Sequence, residues 1–83
     1  MQLSRLVARG RVIAAARMLA GLDQHQLAAA AGLSPSTVSK IEQGRKNVRQ
    51  DTFQAVCQAL EQLGVDLMQN GRTGHHAVGT SYA

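Results

Sequence analysis

The chain has 83 residues, which predicts one domain with a single modest core and no room for a second domain. Hydrophobic residues make up 45% of the chain but aromatic residues only 2%, so its core must be built from Leu, Val, Ile and Ala. The net charge of +4 favours a polyanionic partner without identifying one, and a single cysteine excludes an internal disulfide.

The N-terminal segment predicts a first helix over residues 4–20, because apolar residues from Leu6 to Ala20 recur at helical spacing and Gly21 follows them. Gly10 interrupts this pattern, and a glycine inside a helix costs about 1 kcal/mol relative to alanine. We therefore expect the stable helix over residues 11–20, with residues 1–9 as a fraying turn or an arm. The segment also holds a basic group formed by Arg5, Arg9 and Arg11.

The segment from Leu22 to Gly44 predicts two short helices, over residues 24–31 and 35–43. Asp23 is the expected N-cap of the first, with Gln26 completing a capping box. An alanine run follows, which leaves no bulk to hold a second helix away, and Gly32 supplies a left-handed end.

The second of these helices has Ser34 as its expected N-cap and Pro35 at its first position. Val38 and Ile41 face one side at the 3.6-residue period, which predicts an inner, apolar face. The opposite side carries residues that are neither bulky nor apolar: Pro35, Ser36, Ser39, Lys40 and Gln43. Two helices joined by a short glycine turn form the helix-turn-helix, whose second helix enters the major groove of DNA.

A polar loop and a last helix come next. The loop holds a second basic group of Arg45, Lys46 and Arg49. Asp51 is the expected N-cap of a helix over residues 52–63, whose apolar stripe contains Phe53, Val56, Cys57, Leu60 and Leu63. Gly64 is expected to end it.

The C-terminal segment begins with an alternating strand pattern over residues 65–69, followed by Asn70-Gly71, a strong hairpin signal. Residues 74–83 then form either a returning strand or a disordered tail. We therefore divide the chain into a DNA-binding domain of residues 1–64 and an extended or hairpin segment of residues 65–83 that is available for dimerisation.

The central motif resembles the Cro and phage-repressor type of helix-turn-helix, the Xre-like family of bacterial and phage regulators. The matching residues are Gln24, Leu27, Ala28, Ala31, Gly32, Ser34, Val38, Ile41, Glu42 and Gly44. The resemblance extends over residues 10–67 and departs from the usual five-helix form after Leu63. It implies an all-α, lambda-repressor-like bundle of four to five short helices. It also implies a sequence-specific regulator of transcription, a repressor, that inserts helix 35–43 into the major groove of double-stranded DNA.

The resemblance also implies residue roles. Base edges are expected to be read by Ser36, Thr37, Ser39 and Lys40. Phosphates are expected to be held by Gln24, Ser34, Gln43, Arg45, Lys46, Asn47 and Arg49. Lys40 is the one long donor among the base readers and favours guanine, whereas Pro35 stands where the family often has a long polar side chain. We therefore expect sparse direct readout, with more weight on DNA shape.

Two charged residues, Arg17 and Glu42, lie at positions that the helical period turns inward. The alternative is that both side chains extend to water. The family carries an Arg–Glu pair at the positions that these residues match, so the resemblance implies a structural ion pair between the first helix and the second helix of the motif.

A homodimer on a palindromic operator is expected, because two recognition helices about 34 Å apart would reach successive major grooves. The predicted interface consists of Leu63, Val65, Leu67, Met68 and Val78, with an open hairpin edge pairing with its copy. The alternative is a monomer with a free tail.

Catalytic chemistry is not expected. His25, the His75-His76 pair and Cys57 form no metal or nucleophile pattern, so we predict no enzyme, no metal and no cofactor. With no long apolar run or signal-like N-terminus, we expect a cytoplasmic, nucleoid-associated protein without a membrane partner. The competing hypothesis is an antitoxin-like or adaptor module that binds a protein such as a toxin, with DNA contact secondary. A controller of a restriction system or mobile element is another context for the same chemistry.

Overall fold

The computed structural model describes residues 4–70 and 75–80, with side chains for residues 4–67. Within these residues, four helices precede a two-stranded antiparallel sheet. The elements are α1 (Arg5–Leu19), α2 (Gln24–Ala31), α3 (Pro35–Glu42), α4 (Gln50–Gln62), β1 (Val65–Asn70) and β2 (His75–Thr80). The predicted small helical bundle with a C-terminal hairpin is therefore confirmed.

The start of α1 differs from the prediction. The helix begins at Arg5 rather than at residue 11, and the hydroxyl of its N-cap Ser4 accepts from the Val7 N–H at 3.1 Å. Gly10 is buried inside the helix, where an added methyl group would lie 2.5 Å from the Glu42 carbonyl oxygen. The expectation of a frayed start was wrong because this glycine allows two backbones to pack closely, which offsets its poor helix propensity.

The caps of α2 and α3 form as predicted. Asp23 Oδ1 accepts from the Gln26 N–H at 2.8 Å, and Gln26 Oε1 accepts from the Asp23 N–H at 2.9 Å. Gly32, at a φ of +72°, ends α2 in the left-handed conformation. Ser34 Oγ then accepts from the Thr37 N–H at 3.2 Å, so α3 starts at the predicted residue. These local bonds fix where the two motif helices begin and where α2 ends.

The start of α4 corrects the prediction that Asp51 is its N-cap. Arg49 occupies the N-cap position with an extended backbone and makes no side-chain capping bond. Asp51 lies inside the first turn, where its carboxylate accepts from Arg49 Nη2 at 3.2 Å. A carboxylate there still favours the helix, because it faces the positive end of the helix dipole.

The core is apolar and draws on every helix and on β1. Its buried hydrophobic residues are Ile13, Ala16, Leu27, Ala28, Val38, Ile41, Val56, Ala59, Leu60 and Val65. No buried polar or charged residue occurs among residues 4–67. Small alanines on α1 and α2 allow α3 to lie close to both.

The hairpin decides between the two alternatives for the C-terminal segment in favour of a returning strand. Val65 pairs with Thr80 and Leu67 with Val78 in the antiparallel register. Val65 is buried and Leu67 half-buried against the core, whereas Asp66 between them is exposed. The alternation of β1 therefore covers the helices with one face. No helix in the described part of the chain is long and apolar enough to span a membrane.

Candidate nucleic-acid interface

The second motif helix, α3, has two distinct faces. Val38 and Ile41 are buried in the core, whereas Ser36 and Lys40 are exposed. Ser39 is half-buried and Gln43, at the C-cap, is exposed. We call Ser36, Ser39, Lys40 and Gln43 the outer face. It offers hydroxyl, amide and ammonium groups to a polar partner, as the helical period predicted.

Two predicted contact residues at the start of α3 already bond to each other. The hydroxyls of Ser34 and Thr37 lie 2.9 Å apart, and Thr37 is half-buried. The Thr37 hydroxyl is therefore already engaged by the N-cap residue Ser34. A base contact by Thr37 would be left to its methyl group, which suits a thymine methyl.

A chain of side-chain hydrogen bonds runs from the outer face into the following loop. Gln43 Nε2 donates to Ser39 Oγ at 2.9 Å, and Arg45 Nε donates to Gln43 Oε1 at 3.1 Å. A predicted base reader is thus linked to a predicted phosphate ligand. This link was not predicted from the sequence, although Ser39 and Gln43 are four residues apart, a spacing at which helical side chains meet.

The loop after α3 is basic and exposed to solvent. Arg45, Lys46 and Asn47 are all exposed. Arg49 pairs with Asp51, but their side chains are 81% and 67% exposed. An ion pair in water of this kind contributes little, so Arg49 stays available to another anion.

The predicted ion pair between α1 and α3 is present. Arg17 Nε donates to Glu42 Oε2 at 2.8 Å and Arg17 Nη2 to Glu42 Oε1 at 3.2 Å. Arg17 Nη1 also donates to the Leu22 carbonyl at 3.0 Å. The hydrogen bonding to Glu42 raises the pKa of Arg17, against the lowering effect of burial. The side chains are only 13% and 9% exposed, so the pair is well shielded from water.

Gln24 joins this pair. Its Nε2 donates to Glu42 Oε1 at 3.0 Å, and the residue is half-buried. The amide therefore ties the start of α2 to the end of α3, a role that was not predicted from the sequence. The phosphate contact expected of Gln24 stays a prediction.

The predicted dimer residues do not share one exposed surface. Val65 is 1% exposed within the core of its own chain, so its inclusion in the interface was wrong. Leu67 is half-buried against the same core, which leaves little of it for a partner. Leu63 is 50% exposed. The side chains of Met68 and Val78 lie outside the described residues.

Metal-binding and nucleophilic groups are scattered in the described residues. No group of three His, Cys, Asp or Glu side chains there is placed to hold a metal ion. Cys57 is half-buried on α4, and its burial raises the pKa of its thiol, so the unreactive thiol form is favoured.

Comparisons with known proteins match this geometry. A helix-turn-helix family model, HTH_3, matches residues 13–67. The clp gene regulator ClgR from C. glutamicum is 32% identical, with a TM-score of 0.64 over 72% of this chain and 78% of that one. The restriction-modification controller protein C.AhdI from Aeromonas hydrophila is 34% identical, with a TM-score of 0.63 over 68% and 85%. No curated protein matches the chain.

A third solved structure, a HipA-HipB-O2-O3 complex, contains a chain 24% identical to this one, with a TM-score of 0.64 over 74% of this chain and 86% of that one. This likeness concerns the fold alone. The family match covers well over half of the chain, and the two closer likenesses are to regulators. The chain therefore belongs to the helix-turn-helix family of Cro-like and Xre-like proteins and is a DNA-binding regulator of transcription.

Proposed function

We propose that the protein represses transcription by inserting α3 into the major groove of a specific operator in the bacterial cytoplasm, at the nucleoid. The observation that supports this most is the exposed polar outer face of α3, beside the exposed basic loop of Arg45 and Lys46. The opposite face of α3 is buried and held to α1 by the Arg17–Glu42 pair. Repression needs only that the bound protein occupy a promoter, which a small domain can do.

Within this interface, Ser36, Ser39 and Lys40 are the proposed readers of base edges. The Lys40 ammonium suits guanine O6 and N7, and it has no ion-pair partner among residues 4–67. Phosphates are assigned to polar groups at the ends of α2 and α3 and to the polar and basic residues of the loop. These residues are Gln24, Ser34, Gln43, Arg45, Lys46, Asn47 and Arg49. With so few long donors on α3, DNA shape should supply part of the specificity.

Lys40→Ala and Lys46→Ala remove the same charge from two exposed residues with different proposed roles. We expect Lys40→Ala to relax preference at one base position, by about 1–3 kcal/mol of discrimination. Lys46→Ala should weaken binding to all sequences alike. It should also reduce the salt slope, the steepness with which the logarithm of the binding constant falls with the logarithm of the salt concentration, by about 0.9. The operator is first selected from random DNA. The affinity of each protein variant is then measured for a series of operator variants at several salt concentrations. Identical behaviour of both variants would contradict the division into readers and anchors.

The proposal includes a homodimer on a palindromic site, since one such domain covers too little DNA for tight and selective binding. Leu63, half exposed at the end of α4, is the described apolar residue nearest in sequence to the hairpin. Each strand of the two-stranded sheet has one edge that does not pair with the other strand, and pairing one such edge with its copy across a two-fold axis would extend the sheet.

Leu63→Asp tests the dimer, with Met18→Asp as its control, because Met18 is also an exposed apolar residue, at 65%, but lies on α1. We expect the wild type and the control to sediment as dimers at micromolar concentration and Leu63→Asp as a monomer, since a carboxylate in an apolar contact costs several kcal/mol. If the wild type sediments as a monomer, the proposed dimer is wrong. If only Met18→Asp breaks the dimer, its interface lies on α1.

A further inference from the structure

The first two turns of α1 lie directly against the loop that follows α3. A methyl group added at Gly44 would lie 2.7 Å from both the backbone N and Cα of Val7. Arg9 of α1 and Arg45 of the loop line one shallow groove, together with Phe53 of α4. Arg9 of the N-terminal basic group is therefore next to Arg45 of the basic loop in space, although more than thirty residues separate them in sequence.

The charges on this part of α1 do not stabilise the helix. Arg5 lies in its first turn, which contains no acidic residue and carries the positive end of the helix dipole. Arg5 and Arg9 are also one turn apart, a spacing at which like charges repel. Neither has an ion-pair partner among residues 4–67. In the absence of a bound anion, this placement of charge costs helix stability.

Arg9 is already held in place for such an anion. Its guanidinium carbon lies over the Phe53 ring, 3.9 Å from the ring centroid, which is a cation–π contact. Such a contact leaves N–H groups of the guanidinium free to form charge-assisted bonds to phosphate oxygens. Less side-chain entropy is then lost when a phosphate binds.

We propose that Arg5 and Arg9 form a second phosphate contact, on the DNA backbone flanking the segment that α3 reads. This inference rests on the proposed function, because it assumes that α3 and the loop of Arg45 and Lys46 face the DNA. It extends the interface from the helix-turn-helix to the first two turns of α1. The added contact carries no base preference, since phosphates are the same along every sequence.

The test uses the full chain and two duplexes that contain the selected operator, one with long flanks and one trimmed to the base pairs that α3 reads. Arg5→Ala should reduce the salt slope on the long duplex by about 0.9 and leave the base preference unchanged. Arg9→Ala should do the same. On the trimmed duplex both variants should bind like the wild type.

Arg11→Ala is the matched control. Arg11 is exposed on the same helix, but it lies about 200° around the helix axis from Arg9. The substitution therefore removes the same charge from another side of α1. We expect it to leave the salt slope unchanged on both duplexes. If Arg9→Ala unfolds, Arg5→Ala decides alone, since Arg5 is exposed.

Lys46→Ala separates the two ways in which the inference can fail. If Lys46→Ala lowers the slope while Arg5→Ala does not, the second contact is wrong and the proposed function stands. If neither variant changes the slope, both the proposed function and the inference are wrong. If Arg11→Ala lowers the slope as much as Arg5→Ala, the effect is general charge attraction and the specific contact is wrong.

Discussion

Replacing Glu42 with alanine is expected to lower the free energy of unfolding by about 3 kcal/mol. The substitution leaves the Arg17 guanidinium, only 13% exposed, without its carboxylate, and it also removes an acceptor from Gln24. A charge that is shielded from water on most of its surface cannot recover full hydration when it loses its partner, so the loss exceeds that of an ordinary hydrogen bond. Urea denaturation at neutral pH measures the change, and thermal unfolding should show a fall of roughly 10–20 °C.

Asp51→Ala is the matched control for this prediction, because it also removes a carboxylate from an arginine. The Arg49 and Asp51 side chains are 81% and 67% exposed, so we expect a loss of at most about 1 kcal/mol. Replacing Arg17 and Glu42 together with methionine should recover part of the loss, since no uncompensated charge is then buried. Equal losses for Glu42→Ala and Asp51→Ala would show that the part-buried Arg17–Glu42 pair contributes no more than a surface pair.

The second large effect is expected at Gly44. An alanine there must adopt a φ of +75° and place its Cβ 2.7 Å from the Val7 backbone. The left-handed conformation costs roughly 1–2 kcal/mol, and the overlap adds about 1–3 kcal/mol because backbone atoms cannot turn aside as a side chain can. Chemical denaturation should therefore show a total loss of about 2–5 kcal/mol.

Gly32→Ala separates the two terms of that loss. Gly32 has nearly the same φ, +72°, but nothing lies within 4 Å of an added Cβ. It should lose only the roughly 1–2 kcal/mol of backbone strain. Gly44→Ala should also weaken DNA binding more than Gly32→Ala does, because moving α1 away from the loop separates the two basic groups. If both variants lose the same stability, the contact between α1 and the loop is not tight in solution.

The DNA-reading unit was largely predictable from the sequence because its determinants are local. The Asp23 and Gln26 bonds, the Ser34 cap and the turn at Gly32 all act within a few residues, so the bounds of α2 and the start of α3 followed from residue types and spacing. The Arg17–Glu42 pair was also predictable, since the helical period turned both residues inward and the family carries such a pair.

The errors arose where distant backbone decides a local question. By itself the sequence determined a helix-turn-helix with a polar outer face, because capping, periodicity and turn chemistry depend on near neighbours. Only the tertiary structure decided that α1 runs through Gly10 against the carbonyls of Ile41 and Glu42, and that Val65 is buried in its own core. It also decided that Arg9 lies over the Phe53 ring beside Arg45, since packing between segments far apart in the chain has no signature in local spacing.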